Sequence, residues 1–400
     1  MASAIELITT LLALAGLAYM LLALWGARDY TRTVRRRASE REYTPDVTLL
    51  KPLKGVDARM YEGLASHCRQ QYAGRFEIVF GVHSLDDPAV AEVERLRAEF
   101  PDVPIKLVEC SDRLGTSGKV SNLVQMLAAA EYEHLVINDS DIYVTPHYLT
   151  GVMRYFGSTP DEVPVGMVTA PYLGRTGLGG REVTIWAKLE ALGISTDFMP
   201  GVLTARKLEQ GIRFGLGSTL AVTHTAMVAA GGLGPLVEFL ADDYELGKRI
   251  AAAGYRVELC GEIVETTVPA YDLIGFWDHQ MRWARSTRDS RRMGYVGLGV
   301  TYCVPWALMT VLASGAALWS FTLLAVVVLV RMTVALVVGV GVLRDDQVLR
   351  DLWLLPVRDL FGLLFWIWSF AGDTVVWRGD RFRLHEGRIA LVNKGIAKAS

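Results

Sequence analysis

The chain has little of what several common site chemistries require. Four cysteines occur in 400 residues, Cys68, Cys110, Cys260 and Cys303, and no two form a C-x-x-C pair. That spacing excludes a thiolate zinc site and a disulfide framework, leaving reduced, buried thiols as the expectation. A Walker A phosphate loop and a dinucleotide glycine fingerprint are both missing. There is no internal repeat and no low-complexity stretch. Charge of one sign is also lacking: 41 basic against 43 acidic residues leave a net charge of -2, which excludes the basic footprint of a nucleic-acid binder. Apolar residues are abundant, at 51%, yet 21% of residues are charged. A pure membrane bundle would carry fewer charges, so the composition predicts a soluble domain joined to membrane segments.

The long apolar runs lie near the two ends. Residues Ile5 to Trp25 are enough to cross a hydrocarbon core of roughly 30 Å. Arg28, Arg32, Arg35, Arg36 and Arg37 follow that run. A cleaved signal peptide has the opposite order, and the positive-inside rule places everything after Arg28 in the cytoplasm. Val300 to Leu343 is interrupted only by Arg331 and is long enough for two helices. Leu352 to Val376 carries Arg358, Asp359 and Asp373, as expected of a helix packed on protein or a re-entrant piece. The tail from Trp377 holds Arg378, Arg381, Arg383 and Arg388 and favours the cytoplasm, whereas three full crossings would put it outside.

Between these runs the pattern is that of an α/β domain. Val47–Lys51, Phe76–Val82, Ile105–Val108, Leu135–Asn138 and Gly166–Ala170 read as buried strands. Met60–Gln71, Pro88–Phe100, Lys119–Ala130 and His147–Phe156 read as the helices between them. Such alternation predicts βαβ units and a mostly parallel, Rossmann-like sheet, with ligands beyond the carboxyl ends of the strands.

Carboxylates fall at those ends. In Asn138-Asp139-Ser140-Asp141 an apolar strand runs into two aspartates one residue apart, whose side chains share a side in an extended chain. Such a pair can hold a hard divalent cation, Mg²⁺ or Mn²⁺, whose other positions take water and diphosphate oxygens. Helix capping before Pro146 is the structural alternative. Asp86-Asp87-Pro88 has the form of a helix start, and a carboxylate there can also meet a nucleobase or ribose. Lys119 and Asn122 follow a glycine-bounded turn suited to a diphosphate, or else are ordinary surface residues. Asp242-Asp243 opens a helix, where acidic residues complement the dipole; the functional alternative is a general base for a hydroxyl. His279-Gln280-Met281-Arg282-Trp283 lies just before the membrane and reads as an interfacial helix, with Arg282 near a diphosphate and Trp283 lining an acceptor pocket.

The order of Leu50-Lys51-Pro52-Leu53-Lys54-Gly55, Asp86-Asp87-Pro88-Ala89, Gly118-Lys119-Val120-Ser121-Asn122-Leu123, Asp139-Ser140-Asp141, Ala241-Asp242-Asp243-Tyr244 and Arg282-Trp283 resembles the ceramide glucosyltransferase family. The likeness spans about Leu49 to Arg288, with the flanking membrane segments and Trp377-Arg378-Gly379. It implies a GT-A fold and an inverting transfer of a hexose, glucose first, from a UDP-sugar to a lipid hydroxyl. By the same route Lys51, Pro52, Asp86, Asp87, Lys119, Asn122 and Asp139 would contact the nucleotide sugar. Asp139 and Asp141 would manage metal and diphosphate, Asp243 would be the base, and Arg282 and Trp283 would complete the site in the family's Q/R-x-x-R-W motif. Here the first position of that motif is His279, so either the histidine substitutes as a donor or the register shifts to Gln280. Relatives that modify hopanoid or other polyprenoid-type lipids resemble the chain at least as well, so the resemblance implies ceramide as the first expected acceptor and a hopanoid or other bacterial lipid as the alternative. A processive polysaccharide synthase and a non-catalytic lipid-binding scaffold on the same fold are the competing readings.

The expected organisation is a membrane helix over 1–27, a basic linker over 28–46 and a cytosolic catalytic domain over 47–268. An interfacial segment over 269–296, transmembrane or re-entrant helices over 297–376 and a basic tail over 377–400 complete it. The expected setting is a bacterial-type inner membrane with the catalytic domain on the cytoplasmic face. No nucleic-acid partner is expected, and the motifs leave the oligomeric state open.

Overall fold

Apolar residues in the first half of the chain are spaced to cover both faces of a sheet. Along Val47–Pro52 (β1), Val47 and Leu49 join one buried cluster with Met60 and Leu64, while Leu50 joins another with Val120 and Met126. Successive strand residues point to opposite faces, so a near-continuous apolar strand must be buried on both. The computed structural model describes residues 3–57, 59–157, 162–177, 182–377 and 380–393. Strands Phe76–Val82 (β2), Ile105–Glu109 (β3), His134–Ile137 (β4) and Val165–Thr169 (β5) match the expected positions to within a residue. Tyr172–Arg175 (β6), Leu220–Thr223 (β7), Arg256–Leu259 (β8) and Val264–Thr267 (β9) follow.

The main sheet has the order β3-β2-β1-β4-β7-β5-β8. β1 pairs in parallel with β2 and β4, β2 with β3, and β5 with β8. β7 runs antiparallel between β4 and β5, with Ile137 opposite Leu220. The loop entering β7 therefore meets the loop leaving β4 at one edge, which builds the site. β6 and β9 form a small parallel pair beside it.

The first helix, Ala4–Ala38 (α1), is capped by Ser3 and Glu6. Met60–Cys68 (α2), Ala89–Glu99 (α3), Gly118–Met126 (α4) and Tyr148–Met153 (α5) flank the sheet. α2 stops short of the expected Gln71, because Gln70 and Gln71 turn to bond the carbonyls of Thr145 and Pro146. Ile185–Gly193 (α6) continues through a π-helical turn at Ile194–Phe198 into Met199–Leu208 (α7). His224–Ala229 (α8) and Asp242–Ala252 (α9) precede Leu273–Ser290 (α10).

Beyond α10, Arg292–Thr301 (α11) and Cys303–Ala313 (α12) bend by 53° where they join. The indole of Trp306 bonds the Gly299 carbonyl across the bend, and Pro305 sits in the first turn of α12. Leu318–Val334 (α13) extends to Val342 through a π-helical turn; Gln347–Asp351 (α14) and Leu355–Ser369 (α15) follow. Among the described residues, three helical stretches are long and apolar enough to cross a membrane, Ala4–Ala38, Leu318–Val342 and Gln347–Ser369, with a fourth if the bent pair counts as one span. Gly16 packs on Cys303 and Gly26 on the Leu203 backbone, so α1 lies tightly against α12 and α7.

In the last two apolar segments Arg331, Arg358 and Asp359 turn inward. Arg331, 2% exposed, donates twice from Nε to Asp359, at 3.1 and 3.0 Å. It also bonds Asp197 and, at 2.9 Å, the Thr196 carbonyl, while Arg358 lies 3.1 Å from Asp197. Two membrane-length helices are thereby pinned to the π-turn after α6. Where the sequence suggests a basic tail, Thr374–Trp377 (β10), Asp380–His385 (β11) and Arg388–Asn393 (β12) form an antiparallel sheet. Phe382 and Leu384 alternate with charged neighbours and are buried against Leu240 and Val375. Arg378 and Gly379 lie outside the described residues.

Candidate active site

At the carboxyl edge of the sheet, three loops and two helix starts converge. β4 delivers Asn138, whose amide nitrogen donates to Tyr148, Ser218 and Thr219 at 3.0, 2.7 and 3.1 Å. This buried clamp fixes the chain just before Asp139 and joins it to the loop entering β7. In that loop Gly217 leaves a gap. A side-chain carbon there would begin 3.2 Å from Asp243 Oδ2 and 3.8 Å from Asp139 Oδ2, so two carboxylates from distant parts of the chain face one small space. The Asp243 carbonyl also accepts from Gly215 N at 3.2 Å, which ties the start of α9 to the same loop.

Ser117 caps α4 and aims Lys119 into this edge. Its ammonium lies 2.9 Å from Asp139 Oδ1 and 3.3 Å from Asp242 Oδ2. Burial works against that charge, but Asp139 and Asp242 outweigh it and hold the lysine well above its ordinary value. Asp243 is pushed up to about 6, first by burial and then by Asp242, with Lys119 opposing. Asp141 is raised by burial and by Asp139, although Thr266 donates to it at 2.5 Å. Hard carboxylate oxygens around the Gly217 gap suit a divalent cation. Among the described residues, no group of three or more His, Cys, Asp or Glu could hold one, so water and diphosphate would have to supply the remaining ligands.

Other expected residues lie around this centre in different ways. Asp87 accepts from Gly55 N at 2.9 and 3.1 Å and from Ala89 N at 2.9 Å, capping α3 and bracing the loop after β1. Asp86 is exposed, Asn122 is buried on α4, and Pro52 ends β1. Lys51 is fully buried, with Nζ 3.4 and 3.3 Å from the two ring nitrogens of His67. Burial lowers this lysine to about 7 against the pull of Asp141 and Asp139.

Asp272 caps α10, which carries the last group. His279 and Trp283, one turn apart, pack at a tilt with ring centroids 4.8 Å apart, and Tyr271 stacks on the imidazole at 5.4 Å. Trp283 packs beside Ala187, Ala191, Ile194 and Val268. Gln280 is buried, at 6% exposure, whereas His279 bonds a buried carboxylate from another helix.

Sequence reasoning missed Glu190. It lies 3% exposed on α6 and bonds His279 Nδ1 at 2.9 Å. Burial raises the Tyr172 phenol; Asp243, Glu190 and Asp139 add to the shift and Arg282 opposes it. Tyr271 responds in the same way to Glu190, Arg282 and Asp141. These shared neighbours place Glu190, Arg282 and the aspartates around the same two tyrosines. An isolated glutamate in an apolar helix has no spacing to announce it.

The profile of glycosyl transferase family 21 matches residues 8–390. Ceramide glucosyltransferase 3 of Caenorhabditis elegans is 25% identical over 284 residues, which cover 70% of this chain and 59% of that protein. Ceramide glucosyltransferase 1 of the same organism is 25% identical over 243 residues, covering 60% and 49%. Ceramide glucosyltransferase of Komagataella phaffii is 34% identical over 102 residues, covering 24% and 20%. The chain spans about half the length of the first two relatives. Among solved structures, the mannosyltransferase PcManGT from Pyrobaculum calidifontis in complex with GDP-Man and Mn²⁺ aligns with a TM-score of 0.45 and 18% identity, over 88% of this chain and 99% of that one.

Proposed function

The chain belongs to glycosyl transferase family 21, and from that premise we propose that it transfers a hexose from a UDP-sugar to the hydroxyl of a membrane lipid, with inversion. The named relatives favour glucose as the sugar and ceramide as the lipid. The observation that carries the reading is the meeting of Asp139 and Asp243 at the Gly217 gap, beside Lys119. Its neighbouring helices are long enough to cross a membrane, which suits a lipid acceptor. The basic run after α1 supports a cytoplasmic face for the domain.

In this mechanism the Asp243 carboxylate takes the proton of the lipid hydroxyl as its oxygen bonds the anomeric carbon. The bond from that carbon to the diphosphate breaks, and its electron pair leaves on the phosphate oxygen. A burial-raised carboxylate is a stronger base than an exposed one and still ionised at neutral pH. Lys119 and Arg282 offer positive charge to the departing diphosphate. Asp87 keeps the Gly55 loop in place for the nucleotide. Asp139 and Asp141 would hold the divalent cation, which when bound neutralises charge on the leaving group. Trp283 and His279 line the approach of the acceptor.

Purified protein given UDP-glucose should release UDP only when ceramide or another hydroxyl lipid is added. Release of UDP at the same rate without lipid would contradict the acceptor assignment.

A further inference from the structure

α10 presents two different faces. His279 and Trp283 turn toward Tyr271 and α6, whereas Asp278, Met281 and Arg285 wall a cavity of about 310 Å³ against β10 and β11, with Arg282 at the border between the two faces. The guanidiniums of Arg282, Arg285 and Arg381 border it, against the single carboxylate of Asp278. Arg285 donates to the carbonyls of Thr374 and Ala371, which holds the group without neutralising its charge. Burial and the neighbouring Arg288 push Arg285 below its ordinary value, as expected of a crowded cationic wall.

Apart from Thr374, the rest of the lining is apolar. Trp277 and Val375 contribute, and the Trp277 ring packs on Phe365 and Trp368 with centroids 5.1 and 6.2 Å away. Both partners lie in the last turns of α15, where a candidate membrane span ends. Asp139, Asp141 and Asp243 are not part of the lining. Cationic walls above an apolar floor match a phosphate carried on an amphiphile, since guanidinium binds phosphate through paired donors. At the edge of a bilayer, basic side chains also gain from anionic lipid.

We propose that this cavity binds the phosphate headgroup of an anionic membrane lipid, with the acyl portion lying along Trp277 and α15. A nucleotide phosphate shares the headgroup chemistry, so the test must separate the two. The full chain would be released from detergent micelles into a native mass spectrometer after incubation with dioleoyl phosphatidylglycerol, dioleoyl phosphatidylcholine or UDP. The phosphatidylglycerol adduct should exceed the phosphatidylcholine adduct by at least about fivefold, the weight of roughly one basic side chain at an anionic surface. Arg381→Gln should remove that preference. Asp278→Asn, which deletes only the opposing carboxylate, should strengthen it, a gain that misfolding cannot imitate. Equal retention of the two lipids, or no response to either substitution, would overturn the proposal. Displacement of phosphatidylglycerol by UDP would overturn it too and assign the cavity to the nucleotide.

Discussion

The buried carboxylate of Glu190 receives the Nδ1 hydrogen of His279 at 2.9 Å, and so sets both the tautomer and the tilt of a ring that packs against Trp283. With Nδ1 engaged, the imidazole can present only Nε2 to a substrate. Glu190→Ala is predicted to lower kcat/KM by about 10- to 100-fold, the cost of misplacing a group near the reacting atoms. Steady-state kinetics would check it. In a His279→Gln background the same Glu190 change should cost much less, and equal losses in both backgrounds would remove the pairing from the account.

Asp243 carries the proposed proton transfer. Asp243→Asn should reduce turnover by about 10²- to 10⁴-fold while UDP still binds. Because burial and Asp242 lift this carboxylate to about 6, its base form is lost as pH falls through that value. The rate should therefore be flat above about 7 and drop tenfold per pH unit well below 6. A pH-rate profile without an acid limb near 6 would take the base role from Asp243.

Asp139 shares its two oxygens between Lys119 and the Gly217 gap. Asp139→Asn should weaken UDP binding by at least about tenfold when Mg²⁺ or Mn²⁺ is present. Chelation with EDTA should remove most of that difference between wild type and variant. Calorimetric titration of UDP, with and without EDTA, measures both. Identical affinities in all four combinations would exclude a cation at this pair.

Arg331 sits among Asp359, Asp197 and the Thr196 carbonyl with 2% exposure. Arg331→Met leaves a buried carboxylate without its partner and should destabilise the protein by about 3–5 kcal/mol. Adding Asp359→Leu leaves Asp197 with Arg358 and should recover most of the loss. Thermal unfolding in detergent would follow both changes. Equal stability of single and double variants would show that this ion cluster does not work as a pair.

The sheet was legible because strands buried on both faces must be largely apolar, and Val47–Leu50 and Phe76–Val82 are, apart from Thr48 and Glu77, which bond each other. Asp139 stood out because it follows such a strand, and Lys119 because it follows a capped turn. The other half of the site comes from tertiary closure. Asp243 meets Asp139 only because β7 runs antiparallel and brings Gly217 between them. Glu190 has no local signature, since its partner His279 lies 89 residues away. Lys51 illustrates the reverse: its place in a motif says nothing about the side chain pointing back to His67. The small C-terminal sheet did have a signal, the alternation in Arg381-Phe382-Arg383-Leu384, but the excess of arginines masked it.

Transfer of sugar to a lipid hydroxyl with Asp243 as base is tested most directly by identifying the product. Wild-type protein and Asp243→Asn would each be incubated with UDP-glucose and a membrane lipid extract that contains ceramide and hopanoids, and new species resolved by mass spectrometry. The account predicts one lipid heavier by a single hexose with wild type, β-linked, and none with the variant. A polymer of hexose, or the same glycolipid from Asp243→Asn, would contradict it.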